Sequence, residues 1–126
     1  MKFAILIPAY KPDQRLVHLV EALSNASQAP IVIINDGSPS AHDPVFAGLA
    51  AYPTVKLLAH PANQGKGAAL RTGFRYIETL PTEITCIITA DADGQHSVKD
   101  ILAVAAAAEQ KPEAMIIGSR QFDKDV

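Results

Sequence analysis

The chain is poor in the residues on which several common architectures depend. Cys86 is the single cysteine among 126 residues, so no disulfide can form within the chain. It lies in the apolar run Cys86-Ile87-Ile88, which favours a buried, inert thiol over a reactive one. The net charge is only −2, and the basic residues are scattered rather than clustered. We therefore expect no nucleic-acid partner, because nucleic-acid-binding proteins present a basic patch.

Long hydrophobic segments are missing as well. The apolar run at the start of the chain is interrupted at Pro8, and it is too short for a signal-peptide core or a membrane span. We interpret it as the first strand of a cytoplasmic protein. A length of 126 residues with 48% hydrophobic content indicates one globular domain, residues 1–126, that can bury a core.

Short β-rich apolar runs alternate with segments of helical period along the chain. This alternation predicts βαβ units and an α/β fold with a doubly wound, mainly parallel sheet. The predicted strands are roughly Lys2–Ile7, Pro30–Asn35, Val55–Ala59, Ile84–Ala90 and Ala114–Ser119. Three apolar stripes predict helices: Leu16, Val20 and Leu23; Leu70, Phe74 and Ile77; and Ile101, Val104 and Ala108. The segment from Val45 to Ala51 is a weaker candidate for a helix.

Unusual polar residues follow three of the predicted strands. The strands end in Pro8-Ala9-Tyr10, in Asn35-Asp36-Gly37-Ser38 and in Asp91-Ala92-Asp93-Gly94. Because the carboxyl ends of parallel strands lie along one edge of a sheet, we expect these residues to converge on one crevice. Asp36 is then placed to accept hydrogen bonds from a base or ribose, and Tyr10 to pack on an aromatic face.

Asp91 and Asp93 suggest a metal site in that crevice. Spaced one residue apart, the two carboxylates can share a hard divalent cation, which completes its shell with water and phosphate oxygens. A diphosphate is therefore the first ligand to consider. The simpler alternative is that both acids only favour a turn before Gly94.

A segment of small residues, Asn63-Gln64-Gly65-Lys66-Gly67-Ala68-Ala69, opens the third predicted helix. Free backbone N–H groups and the Lys66 cation would then lie near any phosphate, with Arg71 about a turn further on. The candidate site residues also have simpler, structural interpretations. Lys66 and Arg71 can be solvated helix residues, and Tyr10 can be a packing residue. His96 can contact a metal or a phosphate, or it can be only a polar residue before a helix. We expect His18, His42 and His60 at the surface.

Other nucleotide and metal motifs do not fit. A P-loop is excluded, because Gly65-Lys66-Gly67 lacks the earlier glycine and the following Ser or Thr. An EF-hand is excluded, because Gly94 is misplaced and no Glu closes the loop. A haloacid-dehalogenase-type phosphatase would need its nucleophilic aspartate on the first strand and further acids downstream.

Taken together, the motifs resemble those of inverting family 2 glycosyltransferases, most of all the dolichyl- or polyprenyl-phosphate sugar synthases. Four motifs carry the resemblance and cover almost the whole chain: Ile7-Pro8-Ala9-Tyr10, Ile34-Asn35-Asp36-Gly37-Ser38, Asn63-Gln64-Gly65-Lys66-Gly67 and Asp91-Ala92-Asp93-Gly94-Gln95-His96. The resemblance implies a GT-A fold whose first half binds a nucleotide-diphosphate sugar, a UDP- or GDP-sugar. It also implies an acceptor that can be a polyprenyl phosphate at the inner face of a membrane.

The same resemblance implies roles for individual residues. Pro8, Ala9, Tyr10 and Asp36 would hold the nucleoside, and Lys66 and Arg71 would lie near it or the diphosphate. Asp91 and Asp93 would form the DXD motif, with Mg²⁺ or Mn²⁺ bound directly by Asp93.

One departure from the family pattern concerns the acceptor-binding half. Family members continue beyond the strand that ends in Gly118-Ser119-Arg120 into a half that supplies a catalytic acid, whereas this chain stops at Val126. We therefore expect the donor-binding half of a transferase, with the acceptor half cut off, lost or supplied by a partner. A nucleotide-sugar-binding module without transfer activity is the alternative. Self-association through apolar surface near Val126 also stays open.

Overall fold

The computed structural model describes residues 3–81, 84–92 and 98–110, the side chains of 108–110 excepted. Strands and helices alternate along these residues, as the sequence predicts. The elements are β1 Phe3–Ala9, α1 Gln14–Ala26, β2 Ile31–Asp36, α2 Asp43–Leu49, β3 Val55–His60, α3 Lys66–Glu78, β4 Cys86–Thr89 and α4 Val98–Gln110, with a short 3-10 helix, Ser40–His42, before α2.

The described strands form one parallel sheet in the order β3-β2-β1-β4. Alternate residues of the central strand β1 serve two cores. Ile5 and Ile7 face the layer of α1, α2 and α4, whereas Ala4 and Leu6 face α3. Helices therefore cover both faces of the sheet, and the predicted doubly wound α/β class is confirmed.

Local sequence signals explain how two of the helices are placed. Helix α1 begins after Asp13, whose carboxylate accepts a hydrogen bond from the Arg15 N–H at 2.9 Å and so caps the helix. Helix α3 approaches β1 closely at Gly73, where an added Cβ would lie 2.2 Å from Leu6 Cδ1. No helix in the described residues is long and apolar enough to cross a membrane.

The strand ends differ from the sequence predictions in ways that matter for the site. Strands β1, β2 and β3 continue to Ala9, Asp36 and His60. The fourth strand is shorter than the predicted Ile84–Ala90, because its ladder with β1 runs only from Phe3 paired with Cys86 to Leu6 paired with Thr89.

Two further predictions concern the fourth and fifth strand segments. The thiol of Cys86 is buried and free, as the sequence predicts. The fifth predicted strand, Ala114–Ser119, lies outside the described residues.

Candidate functional site

A cleft of about 280 Å³ opens at the carboxyl edge of the sheet. Its lining residues come from the ends of three strands and the start of α3: Pro8, Ala9, Tyr10, Asp36, Asn63, Gly65, Lys66 and Asp91. The strand order reverses between β1 and β4, since β2 and β3 lie on one side of β1 and β4 on the other. Parallel α/β proteins bind ligands at such a point.

Opposite charges meet at the wall of the cleft. Asp91 follows β4 and is 9% exposed, and Lys66 is the first residue of α3. The Lys66 ammonium, with a half-exposed side chain, donates to Asp91 Oδ1 at 3.3 Å. The cleft therefore places a cation that can contact a phosphate beside a carboxylate that can hold a metal ion.

Asp36 lies at the end of β2 and is almost fully buried, at 3% exposure. Four donors contact its carboxylate: His60 Nδ1 (2.8 Å) and the Gln64 N–H (2.9 Å) at Oδ1, and Asn63 Nδ2 (3.0 Å) and the Gly65 N–H (2.9 Å) at Oδ2. Burial, the largest single influence, raises the pKa of this carboxyl. The hydrogen bonds from His60, Gln64 and Gly65 outweigh it, so the pKa lies below its ordinary value.

These contacts give Asp36 a structural role that the sequence analysis did not predict, and its nucleoside contact stays a prediction. A carboxylate has about four acceptor directions, and internal donors occupy all four. A base or ribose could bond to Asp36 only by replacing one of them. In this structure the carboxylate anchors the segment that leads into α3.

The end of β2 and the segment before α3 also touch through their backbones. Gly37 has φ +72°, and an added Cβ would lie 2.2 Å from the Asn63 nitrogen. Any other residue there would both strain the backbone and collide with Asn63. The glycine of the Asn35-Asp36-Gly37-Ser38 motif thus lets the two segments meet.

His60 is not the surface residue that we expected from the sequence. Strand β3 continues to this residue, which pairs with Asp36 on β2, so the register of the sheet sets the two side by side. Its side chain is 9% exposed, and Nε2 lies 2.8 Å from Thr72 Oγ1. His18 is exposed as expected, whereas His42 is half-buried, with Nδ1 at 3.0 Å from the Pro12 carbonyl oxygen.

Tyr10 stands at the rim of the cleft with 47% of its surface exposed, so it is not a packing residue of the core. The next residue, Lys11, has φ 53° and donates its N–H to Ser38 Oγ at 3.0 Å. The Lys11 ammonium lies 5.3 Å from the centre of the Tyr10 ring. The Ser38 hydroxyl thus holds the turn after β1, and the aromatic ring of Tyr10 stays about half exposed at the rim of the cleft.

The structure brings together most of the site residues that the sequence predicts. Pro8, Ala9, Tyr10, Asp36, Lys66 and Asp91 all line the cleft. Arg71 does not; it lies on the exposed face of α3. Asp93 and His96 lie outside the described residues.

Two of the lining residues, Asn63 and Gly65, belong to a motif that the sequence analysis named, but it gave neither residue a role of its own. The signal that could have found them is their position in the segment that opens α3.

The described residues fit a metal ion only in a limited way. Within 3–81, 84–92 and 98–110, no group of three or more His, Cys, Asp or Glu side chains could hold one. A hard cation bound to phosphates needs only one or two protein carboxylates, however, and Asp91 borders the cleft. Asp36 does not fit, because its oxygens are occupied. Asp91 is thus the described residue that could hold Mg²⁺ or Mn²⁺, and the predicted contribution of Asp93 stays a prediction.

A known structure shares the fold. The chain resembles the crystal structure of S. aureus TarS 1-349 with a TM-score of 0.66 and 16% sequence identity, over 87% of this chain and 33% of that one. The likeness is consistent with a GT-A fold built on a parallel sheet flanked by helices.

Curated proteins of similar sequence include two transferases. A dolichyl-phosphate beta-glucosyltransferase of Trichomonas vaginalis is 28% identical over 93% of this chain. A UDP-N-acetylglucosamine–dolichyl-phosphate N-acetylglucosaminyltransferase of Methanococcus voltae is 28% identical over 92%. An uncharacterized protein of Methanocaldococcus jannaschii is 31% identical over 96%. The chain spans 39%, 51% and 47% of these three relatives, in that order.

The family model named "Glycosyl transferase family 2" matches residues 4–126, which is nearly the whole chain. That match includes every residue that lines the cleft. The chain therefore belongs to glycosyl transferase family 2.

Proposed function

We propose that this chain binds a nucleotide-diphosphate sugar, UDP- or GDP-linked, and provides the donor site of a metal-dependent, inverting glycosyltransferase. The observation that carries the proposal is the pairing of Lys66 with Asp91 inside the cleft of a family 2 domain. Departure of a diphosphate is assisted by a protein cation and by a carboxylate-bound metal, and this corner of the cleft has a residue suited to each.

Different residues of the cleft are placed to contact different parts of the ligand. The exposed ring of Tyr10 offers a face on which a nucleobase can stack. At the other side, the first N–H groups of α3 lack carbonyl partners within the helix, and Lys66 adds a full positive charge. We therefore assign the base to the β1 end of the cleft and the diphosphate to the start of α3.

A divalent cation, Mg²⁺ or Mn²⁺, would be held by Asp91 together with Asp93. When bound, it would act as a Lewis acid that neutralises charge on the departing phosphate. The Lys66 ammonium would stabilise the same negative charge on the departing phosphate. Because its ammonium already contacts Asp91, the carboxylate is held in place before any ligand arrives.

The acceptor that we propose is a polyprenyl phosphate at the surface of a membrane, on its cytoplasmic side. Two relatives support this choice, since both are named as transferases that act on dolichyl phosphate. A phosphate acceptor is already ionised at neutral pH, so its attack on the sugar demands less from a protein base.

A second candidate is a donor-binding module that does not transfer sugar by itself. One observation favours it. Among the described residues, the acids that line the cleft are Asp36 and Asp91, and both are engaged, by four internal donors and by Lys66 respectively. Neither is therefore placed as a general base.

Calorimetric titration tests the donor site. UDP, GDP, UDP-glucose and GDP-mannose are titrated into the protein with and without Mn²⁺. We expect one nucleotide series to bind in a metal-dependent way and Asp91→Asn to abolish that dependence, with Asp93→Asn giving the same loss. Asp43→Asn, an exposed acid on α2, is the matched control and should bind as the wild type does.

Two further experiments test the donor site and distinguish a transferase from a binding module. Lys66→Met should weaken binding of the diphosphates, whereas Lys56→Met, an exposed lysine of β3 outside the cleft, should not. Transfer to a polyprenyl phosphate is then measured with the nucleotide sugar that binds. Binding without transfer favours the module, and metal-independent binding that Asp91→Asn leaves intact would exclude the proposed donor site.

A further inference from the structure

His60 joins three parts of the fold that meet behind the cleft. It is the last residue of β3, its Nδ1 lies 2.8 Å from Asp36 Oδ1 at the end of β2, and its Nε2 lies 2.8 Å from Thr72 Oγ1 on α3. We call these three residues the Asp36–His60–Thr72 cluster. His60 does not line the cleft, so any role in binding must act through its neighbours.

The hydrogen-bond partners of His60 indicate which nitrogen of a neutral ring carries the proton. The Asp36 carboxylate can only accept, so the proton of a neutral imidazole lies on Nδ1. Nε2 then accepts from the Thr72 hydroxyl, which can also act as acceptor if the ring is doubly protonated. Both ring nitrogens are satisfied in either state, and with 9% of the side chain exposed the ring is held at both ends.

The cluster holds the beginning of α3 at two points. Asp36 receives the Gln64 and Gly65 N–H groups immediately before the helix, and Thr72 lies on the second turn of the same helix. His60 is the side chain that connects these two points. Lys66, which reaches Asp91 across the cleft, lies between them.

We propose that His60 is a positioning residue of the donor site. By joining Asp36 to Thr72, it fixes the entry and the first turns of α3, and so presents the Lys66 ammonium and the helix N–H groups to the diphosphate. The ligand part of this inference rests on the proposed function. The structural part does not, because the contacts exist within the protein alone.

The test uses variants that remove the two ring contacts separately. His60→Asn keeps an amide donor near the position of Nδ1 and loses the contact with Thr72. His60→Gln keeps a polar group near the position of Nε2 and loses the contact with Asp36. Thr72→Val removes the hydroxyl at nearly constant volume, and Thr54→Val is its matched control, since Thr54 is hydrogen-bonded to Ser24 and does not line the cleft.

Two quantities are measured on each variant: hydrogen exchange of the Gln64 and Gly65 amides, and calorimetric affinity for UDP and GDP with Mn²⁺. If the Thr72 contact holds α3 in its binding position, its loss lets displaced positions compete, and the strength of one hydrogen bond limits the expected fall in affinity for Thr72→Val to about 10-fold. We expect His60→Ala to lose more, with faster exchange of both amides, and His60→Asn and His60→Gln each to recover part of the loss. Thr54→Val should match the wild type.

The outcomes separate this inference from the proposed function. If His60→Ala and Thr72→Val leave amide exchange and affinity unchanged, or if Thr54→Val has the same effect as Thr72→Val, the positioning role is refuted. If His60→Ala exchanges faster at both amides but the wild type binds neither nucleotide, the proposed donor site fails while the role of the cluster in holding α3 stands. Circular dichroism confirms that each variant is folded.

Discussion

Replacing Asp36 by Asn tests how the segment before α3 is held. The carboxylate accepts four hydrogen bonds at 2.8 to 3.0 Å, whereas an amide of the same shape has one accepting oxygen and presents an NH₂ group to the other two donors. Two bonds to a charged acceptor are lost, at about 1.5–3 kcal/mol each. Relief from burying a charge offsets part of this loss, so we expect a net cost of about 2–4 kcal/mol.

That cost is large compared with the stability of a domain, about 5–15 kcal/mol. Urea denaturation measures it: at a slope of about 2 kcal/mol per molar, the midpoint should fall by about 1–2 M with the slope unchanged. Asp43→Asn is the control, because this exposed acid in the first turn of α2 contributes at most about 1 kcal/mol. A loss below about 1 kcal/mol for Asp36→Asn, or one equal to that of the control, would refute the reasoning.

The difference in stability between the wild type and Asp36→Asn should depend on pH in a defined direction. Hydrogen bonds hold the pKa of Asp36 below its ordinary value against the effect of burial. The stabilisation is therefore fully present above the pKa of an unfolded aspartate, about 3.9, and is lost as the pH falls through the lower folded pKa. The stability difference between wild type and Asp36→Asn should be constant near neutral pH and shrink only below about pH 4.

Three glycine substitutions test how closely the elements of the fold pack. Gly37→Ala should lower the melting temperature strongly, because the φ of Gly37 is +72° and the new Cβ would lie 2.2 Å from the Asn63 nitrogen. Gly48→Ala, where the new Cβ would meet nothing within 4 Å, should raise stability by up to about 1 kcal/mol. Gly73→Ala should cost about 1–3 kcal/mol by urea denaturation, because its Cβ would meet Leu6; a neutral result would mean that α3 can move away from β1.

The sequence carries enough information for the layers of the fold and for one edge of the site. Continuous apolar runs mark strands that are buried on both faces, and helical stripes mark helices that are buried on one face. These patterns place Asp36 at the end of one strand and Asp91 just after another. The carboxyl ends of parallel strands share an edge, so the convergence of the two acids needs no further knowledge.

Other parts of the site depend on register, which a single sequence does not specify. His60 reaches Asp36 only because β3 continues to this residue and pairs with β2 there. The contact between Lys66 and Asp91 requires β4 to lie beside β1. Arg71 is a different case: the family resemblance implies a place near the nucleoside or the diphosphate, but α3 presents this residue on its exposed face, outside the lining of the cleft.

The place of β4 beside β1 has a consequence for the order in which the molecule folds. Phe3 of the first strand pairs with Cys86 of the fourth, whereas β1, β2 and β3 pair with their neighbours in sequence. Pairings of such long range are expected to form late, since a large loop must close first. A chain that extends only through β3 contains both Asp36 and His60, which pair in the sheet, but it lacks Asp91. If the cleft is the donor site proposed above, ligand binding would require the longest-range pairing among the described strands to be complete.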